Sequence, residues 1–181
     1  MVKVLVPLAA GCEEIEAVTI IDILRRAGIE VITVGLVPGP VHASRGVVLL
    51  PDSDLDAVLQ DAFDMIVLPG GMLGSEHLKN DSRILALLQS LATAGHFVAA
   101  ICAAPMVLHA AGLLQGRRVT SFPGVLDELA GSHVYLNDRV VVDGNIVTSR
   151  GPGTAMDFAL MLVELLVGQD ARERVEEELV R

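Results

Sequence analysis

Two hydrophobic periods alternate along the chain. Residues 3–8, 30–35, 64–68 and 96–101 are short runs, mostly apolar and rich in β-branched residues. Such runs predict strands covered on both faces, as in a parallel sheet. Between them lie stretches with apolar residues three and four apart. Residues 13–27, 81–94, 103–114 and 154–167 predict helices, as does the charged 169–181. Gly28 suits a left-handed stop for the first helix, and Asn80 or Asp81 a cap for the second. Two hairpins are expected. One joins 41–43 to 47–50 across Ser44-Arg45-Gly46, the other 139–142 to 146–149 across Asp143-Gly144.

Alternating strands and helices imply an α/β fold, a doubly wound and mostly parallel sheet with helices on both faces. At 181 residues, one domain covering 1–181 is expected, with no linker or internal repeat. Function in such sheets gathers beyond the carboxyl ends of the strands. The segments to search are therefore 9–16, 69–74, 102–105 and 150–154.

Composition narrows the classes. Hydrophobic residues make up 52% and charged residues 20%, which excludes a disordered chain. Thirteen Lys and Arg against 23 Asp and Glu leave a net charge of −10, so nucleic acid is not expected as the main partner. Two cysteines are too few for a disulfide framework and fit a reducing, cytoplasmic setting. The N-terminus lacks the pattern of a signal peptide. Residues 97–114 carry no charge and approach the length of a membrane span. Their β-branched and aromatic first third, then Cys102, Pro105, His109 and Gly112, fit a buried strand followed by a helix better. No membrane partner is expected.

Cys102 follows a buried strand and precedes a helix. A side chain at such an elbow projects from the end of the sheet. A helix N-terminus also favours thiolate, lowering the thiol from ~8.5 toward ~3.5–7.5. A buried structural cysteine fits the same position. Glu16 bears on that choice. It shares a helical stripe with Ile20, Ile23, Leu24 and Ala27, the apolar face, where a carboxylate is costly unless paired or protonated. Glu13 and Glu14 fit a plain role at the helix start. Cys102 and Glu16 should line one crevice, as nucleophile and acid/base. Gly70 and Gly71 offer bare backbone N–H groups for an oxyanion. Cys12 lies just before Glu16, as buried filler or a resolving thiol. No dinucleotide fingerprint or P-loop is present. The five histidines lack metal-site spacing, so neither metal nor cofactor is expected. His77 and His133 fall in expected loops, within possible reach of the crevice.

These segments resemble one family. Gly11-Cys12-Glu13-Glu14-Ile15-Glu16, Arg25-Arg26-Ala27-Gly28, Ser44-Arg45-Gly46, Val67-Leu68-Pro69-Gly70-Gly71, Ala100-Ile101-Cys102-Ala103-Ala104-Pro105 and Thr148-Ser149-Arg150-Gly151-Pro152-Gly153-Thr154 match the ThiJ/PfpI superfamily. The similar branch holds the human parkinsonism-associated protein deglycase and the bacterial YajL-type proteins. The resemblance implies a flavodoxin-like sandwich and a homodimer. It implies Cys102 as an oxidisable nucleophile bonded to Glu16, with Gly70, Gly71 and Ala103 around the thiolate. Arg26 and Arg45 are implied near the site, Arg45 lent by a second copy, with Cys12, Gly151 and Pro152 close by. The human-like pattern has His where this chain has Phe122, and the intracellular-protease branch has His where this chain has Ala103.

The implied activity is cofactor-independent conversion of α-oxoaldehydes to hydroxy acids (glyoxalase III), or deglycation of sugar-aldehyde adducts. The substrate would be a small aldehyde or glycated group. The alternatives are an oxidative-stress sensor or redox-regulated chaperone, in which Cys102 becomes a sulfinate, and a structural dimer in which the thiol is incidental.

Overall fold

The computed structural model describes every residue except Glu128 and Ala130. The chain runs β1 (Lys3–Leu8), α1 (Glu14–Arg26), β2 (Glu30–Gly35), β3 (Val41–His42), β4 (Val48–Leu49), β5 (Ser53–Asp54), α2 (Leu55–Val58) and β6 (Met65–Leu68). It continues through α3 (Met72–Lys79), α4 (Ser82–Thr93), β7 (Phe97–Ile101), α5 (Pro105–Ala110), β8 (Arg118–Val119) and β9 (Val134–Tyr135). It ends with β10 (Val140–Asp143), β11 (Ile146–Ser149), a single 3-10 turn (Pro152–Thr154), α6 (Ala155–Val167) and α7 (Gln169–Glu178).

Seven strands form one sheet in the order β10-β11-β7-β6-β1-β2-β5. All neighbours are parallel except the edge pair β10–β11. The chain winds outward from β1 in both directions, so the topological switch lies between β1 and β6. This is the flavodoxin-like α/β architecture.

Strand alternation divides the core into two layers. Val4, Val6 and Leu8 of β1 face one side, packed with Ile20, Ile23 and Leu24 of α1 and Phe158, Leu162 and Val163 of α6. Leu5 faces the other, with Ile66, Leu68, Ile84, Leu88 and Leu108. Residues 97–114 form the strand and short helix expected of them. No helix among the described residues is long and apolar enough to cross a membrane.

Several boundaries differ from expectation. The helix expected from residue 103 begins at Pro105, because residues 102–104 are spent in the elbow, and it ends before Gly112 at φ +76°. The second hairpin turns at Gly144-Asn145, not at Asp143-Gly144. Asp143 still pairs with Ile146, and Gly144 takes φ +61°. Helix α3 was not expected; its Gly-Ser interior weakens the helical signal. His77 therefore sits on a helix and not in a loop, where its Nδ1 donates to the Ala10 carbonyl at 2.9 Å.

Candidate functional site: a cysteine and a glutamate at the switch point

The carboxyl ends of β1, β6 and β7 converge, each contributing the residues that follow it. After β1, the first turn of α1 carries Glu16, which is 0% exposed. After β6, the chain passes through Gly70 and Gly71. After β7, Cys102 turns back on itself.

Cys102 adopts φ +64°, a left-handed conformation rare outside glycine. Its N–H donates to the Ser149 carbonyl at 2.9 Å, and its own carbonyl accepts the Phe122 N–H at 2.9 Å. Those two bonds hold the elbow from both sides. Strain of this kind costs on the order of 1–3 kcal/mol and persists only where the surroundings over-determine it.

Glycine at position 70 is required by space. A Cβ there would lie 2.6 Å from the Cys102 Cβ, 2.6 Å from Glu16 Oε2 and 2.8 Å from the Ile101 carbonyl. Both functional side chains thus approach one backbone point. The Gly70 N–H donates to Glu16 Oε2 at 2.8 Å. Glu16 Oε1 is buried without a nitrogen or oxygen donor. Gly71, at φ +88°, packs so closely on the Gly11 carbonyl that no side chain fits.

The protonation pattern follows from burial. Removal from water pushes the Glu16 carboxyl up from 4.5 to about 7, although the Gly70 N–H and the hydrogen bond with Cys102 oppose it. Burial, then the charge and hydrogen bond of Glu16, push the Cys102 thiol far above its ordinary range. The backbone N–H groups of Gly71 and Ala103 pull it part-way back. This corrects the expectation of a thiol lowered by a helix N-terminus, since α5 is short and begins three residues later. Below about pH 7 both groups hold their protons; above it Glu16 is ionised and the remaining proton rests on sulfur.

Gly70, expected as an oxyanion donor, gives its N–H to Glu16. The donors directed at sulfur are Gly71 and Ala103. Arg26 is not at the site. It lies at the far end of α1, ten residues or about 15 Å from Glu16, and its Nε donates to Asp22 at 2.8 Å. Arg45 lies in the turn between β3 and β4. That turn is stitched to the site loop by Gly11 N–H to the His42 carbonyl at 2.8 Å and Ser44 N–H to the Cys12 carbonyl at 2.8 Å. The Arg45 side chain is exposed and pairs with no carboxylate among the described residues. Cys12 is buried and, like Cys102, a free thiol. Burial and the Glu14 charge push it up to about 11, so it packs as core.

Phe122 and the sulfur flank Gly151. A Cβ on Gly151 would stand 3.3 Å from the Phe122 ring and 3.9 Å from Sγ. Beside them, Phe122, Pro123, Gly151, Pro152, Arg139 and Arg150 help to line an open groove of about 390 Å³. His133 does not reach the crevice; its Nε2 donates to the Leu126 carbonyl at 2.9 Å.

Glu14 is the residue the sequence reading undervalued. Its carboxylate accepts from Ser44 Oγ at 2.9 Å and from Arg45 N–H at 2.8 Å. Burial acts to raise it, but its own N–H, Ser44, Arg45 and Val47 outweigh that and hold it below the ordinary range. Its position beside Glu13 and Glu16, with Ser-Arg-Gly downstream, was the available signal.

Residues 2–165 match the model of the DJ-1/PfpI family. The chain belongs to the DJ-1/PfpI family. Protein dj-1beta of Drosophila melanogaster is 46% identical over 178 residues, 97% of this chain and 95% of that protein. Its crystal structure matches with a TM-score of 0.96, covering 99% of this chain and 97% of that one. The glutathione-independent glyoxalase DJR-1.2 of Caenorhabditis elegans is 40% identical, over 87% of this chain and 84% of that protein. The structure of oxidized DJ-1 from Toxoplasma gondii is 41% identical with a TM-score of 0.95, covering 99% and 98% of the two chains. Within DJ-1/PfpI terms, this chain has the cysteine elbow and its buried glutamate, with Phe122 at the groove.

Proposed function

We propose that the protein converts small α-oxoaldehydes to α-hydroxy acids without glutathione, methylglyoxal to lactate in the simplest case. One observation carries the reading. A buried carboxyl poised near pH 7 is paired with a thiol whose sulfur faces two backbone N–H groups.

Ionised Glu16 takes the thiol proton as sulfur attacks the aldehyde carbon. The new alkoxide is met by the N–H groups of Gly71 and Ala103. Glu16 hands the thiol proton to the alkoxide, completing the hemithioacetal, and, ionised again, moves the aldehydic proton to the neighbouring carbon, which gives a thioester through an enediol. Water releases the hydroxy acid and restores the thiol, so the sum is aldehyde plus water. General acid–base steps of this kind contribute roughly 10²–10⁴-fold. The glyoxalase relative supports this reaction class, and deglycation would use the same addition step on an adduct.

A second reading shares the site. The same two N–H groups and a protonated Glu16 suit a Cys102 sulfinate, and the oxidized Toxoplasma relative favours it. In that reading the protein senses peroxide or acts as a redox-regulated chaperone. A homodimer fits either reading. Exposed Ile15 and Val18 of α1 and Val47, Val48 and Leu50 of the hairpin form an apolar surface beside Arg45.

The test is lactate production from methylglyoxal, without glutathione or added metal, by the wild type and Cys102→Ser. Many turnovers lost in Cys102→Ser establish the enzyme. Aldehyde loss without lactate, or lactate undiminished in the variant, overturns it. Peroxide titration of Cys102 would then test the sensor.

A further inference from the structure

Eight of the eleven arginines pair with a carboxylate. Among the described residues, Arg45, Arg150 and Arg174 do not. Arg45 and Arg174 are exposed, whereas Arg150 is half-buried. A guanidinium drawn partly out of water with no anion beside it is a place where an incoming anion gains.

Arg150 follows β11 directly and lines the groove of about 390 Å³ together with Phe122, Asn137, Arg139 and Gly151. Phe122 and Gly151 tie that groove to the thiol. The Phe122 N–H donates to the Cys102 carbonyl at 2.9 Å, and a Cβ on Gly151 would stand 3.9 Å from Sγ. The two arginines of the groove differ. Arg139 is engaged, with Nε donating to Asp157 at 2.6 Å and Nη2 to the Gly153 carbonyl at 3.0 Å. Asp157 also pairs with Arg181, so its charge is taken up twice. Arg150 uses Nη1 alone, which donates to the Asn137 carbonyl at 3.0 Å and to Asn137 Oδ1 at 3.1 Å. Its Nε and Nη2 donate to nothing among the described residues. Those two N–H groups lie side by side on one edge of the planar group, the edge that matches the two oxygens of a carboxylate. Asn137 thus fixes the guanidinium by its far corner and leaves the bidentate edge for a ligand. The groove also borders the turn that opens α6, the positive end of that helix dipole.

We propose that Arg150 selects substrates whose α-oxoaldehyde, or its adduct, carries a carboxylate a few bonds from the reacting carbonyl. The carboxylate seats on Nε and Nη2 of Arg150 while the thiol adds to the aldehyde carbon. This rests on the aldehyde chemistry proposed for Cys102 and names the substrate class for it. The bonds made and broken are those already given; the carboxylate takes no part in them and only holds the substrate in place. Methylglyoxal, which has no such arm, leaves the edge unused and is the poorer substrate.

The test compares 4,5-dioxopentanoate with 2-oxopentanal, which has the same chain with a methyl in place of the carboxylate. Each is measured in two ways. One is protection of Cys102 from iodoacetamide through reversible hemithioacetal formation. The other is turnover to 2-hydroxyglutarate or 2-hydroxypentanoate. The acid should protect at a concentration roughly 10-fold lower, with a KM lower by a similar factor. Arg150→Gln should erase that preference by weakening the acid alone, and Arg150→Lys should keep part of it. Arg174→Gln removes an exposed charge that is equally unpaired and should keep all of it. Three results would overturn the proposal: equal protection by the two compounds in the wild type, a preference that survives Arg150→Gln, or a loss for both compounds alike in that variant. The expected preference in protection, without hydroxy acid from either compound, supports the role of Arg150 and overturns only the turnover proposed for Cys102.

Discussion

Glu16→Gln should uncouple stability from pH across the neutral range. Burial raises the carboxyl from 4.5 to about 7. Between those values the folded chain holds a proton that the unfolded chain has released. Stability therefore falls as pH rises through this window, and stops falling above about 7. At about 1.4 kcal/mol per pH unit, the loss between pH 5 and 8 is about 2.5 kcal/mol. Gln cannot ionise and loses nothing. Its amide nitrogen replaces an oxygen that lacks a donor, an offset of about 1–3 kcal/mol that is the same at both pH values. The observable is thus the change in the gap between variant and wild type, whatever the offset. For a chain of this size it corresponds to roughly 5–10 °C in melting temperature. Thermal unfolding of both proteins at pH 5 and pH 8 measures it. Cys102 does not confuse the window, because both its folded and unfolded titrations lie above it. A gap equal at the two pH values would refute the buried, raised carboxyl, and with it the general base.

Gly70→Ala should destabilise by roughly 1–3 kcal/mol, since backbone and Cβ atoms at 2.6–2.8 Å cannot all withdraw. Thiol alkylation should change with it, while Gly153→Ala, with nothing within 4 Å, serves as the unaffected control; equal melting temperatures for the two variants would contradict the packing. Phe122→His keeps the backbone bond to Cys102 and places an imidazole beside Gly151, next to the sulfur. Turnover with methylglyoxal should rise about 10-fold or more, with a new limb in the pH–rate profile, and an unchanged profile would show that the ring does not reach the proton path.

The sheet was legible because its central strands are buried on both faces and read as unbroken apolar runs. The Cys102–Glu16 pairing was legible because a carboxylate on an apolar stripe needs a partner, and both residues follow core strands. Other features depend on information that a linear pattern does not hold. Whether Gly70 gives its N–H to a carboxylate or to a substrate depends on which backbone groups meet across three strands. The direction of the thiol shift turned on burial and on an ionised neighbour outweighing a short helix. Arg26 was placed near the site by resemblance, although ten residues of helix from Glu16 already set it at the opposite end. Glu14 reads from the sequence as a plain helix-start carboxylate, whereas the β3–β4 turn covers it and bonds it.

The titrating proton of Glu16 links the two chemistries proposed for this site. With Gly70 committed to Glu16, sulfur faces two N–H donors, from Gly71 and Ala103. A hemithioacetal alkoxide has one charged oxygen, which those two donors satisfy, and needs Glu16 ionised beforehand to free the thiol. A sulfinate has two oxygens. The second is stabilised only when Glu16 still holds its proton and can donate. Addition to an aldehyde therefore gains as pH rises through about 7, and retention of the oxidised sulfur gains below it. The carboxyl's position near neutrality places both states within reach of one protein. Removing Glu16's titration, and not only its size, should impair the two together.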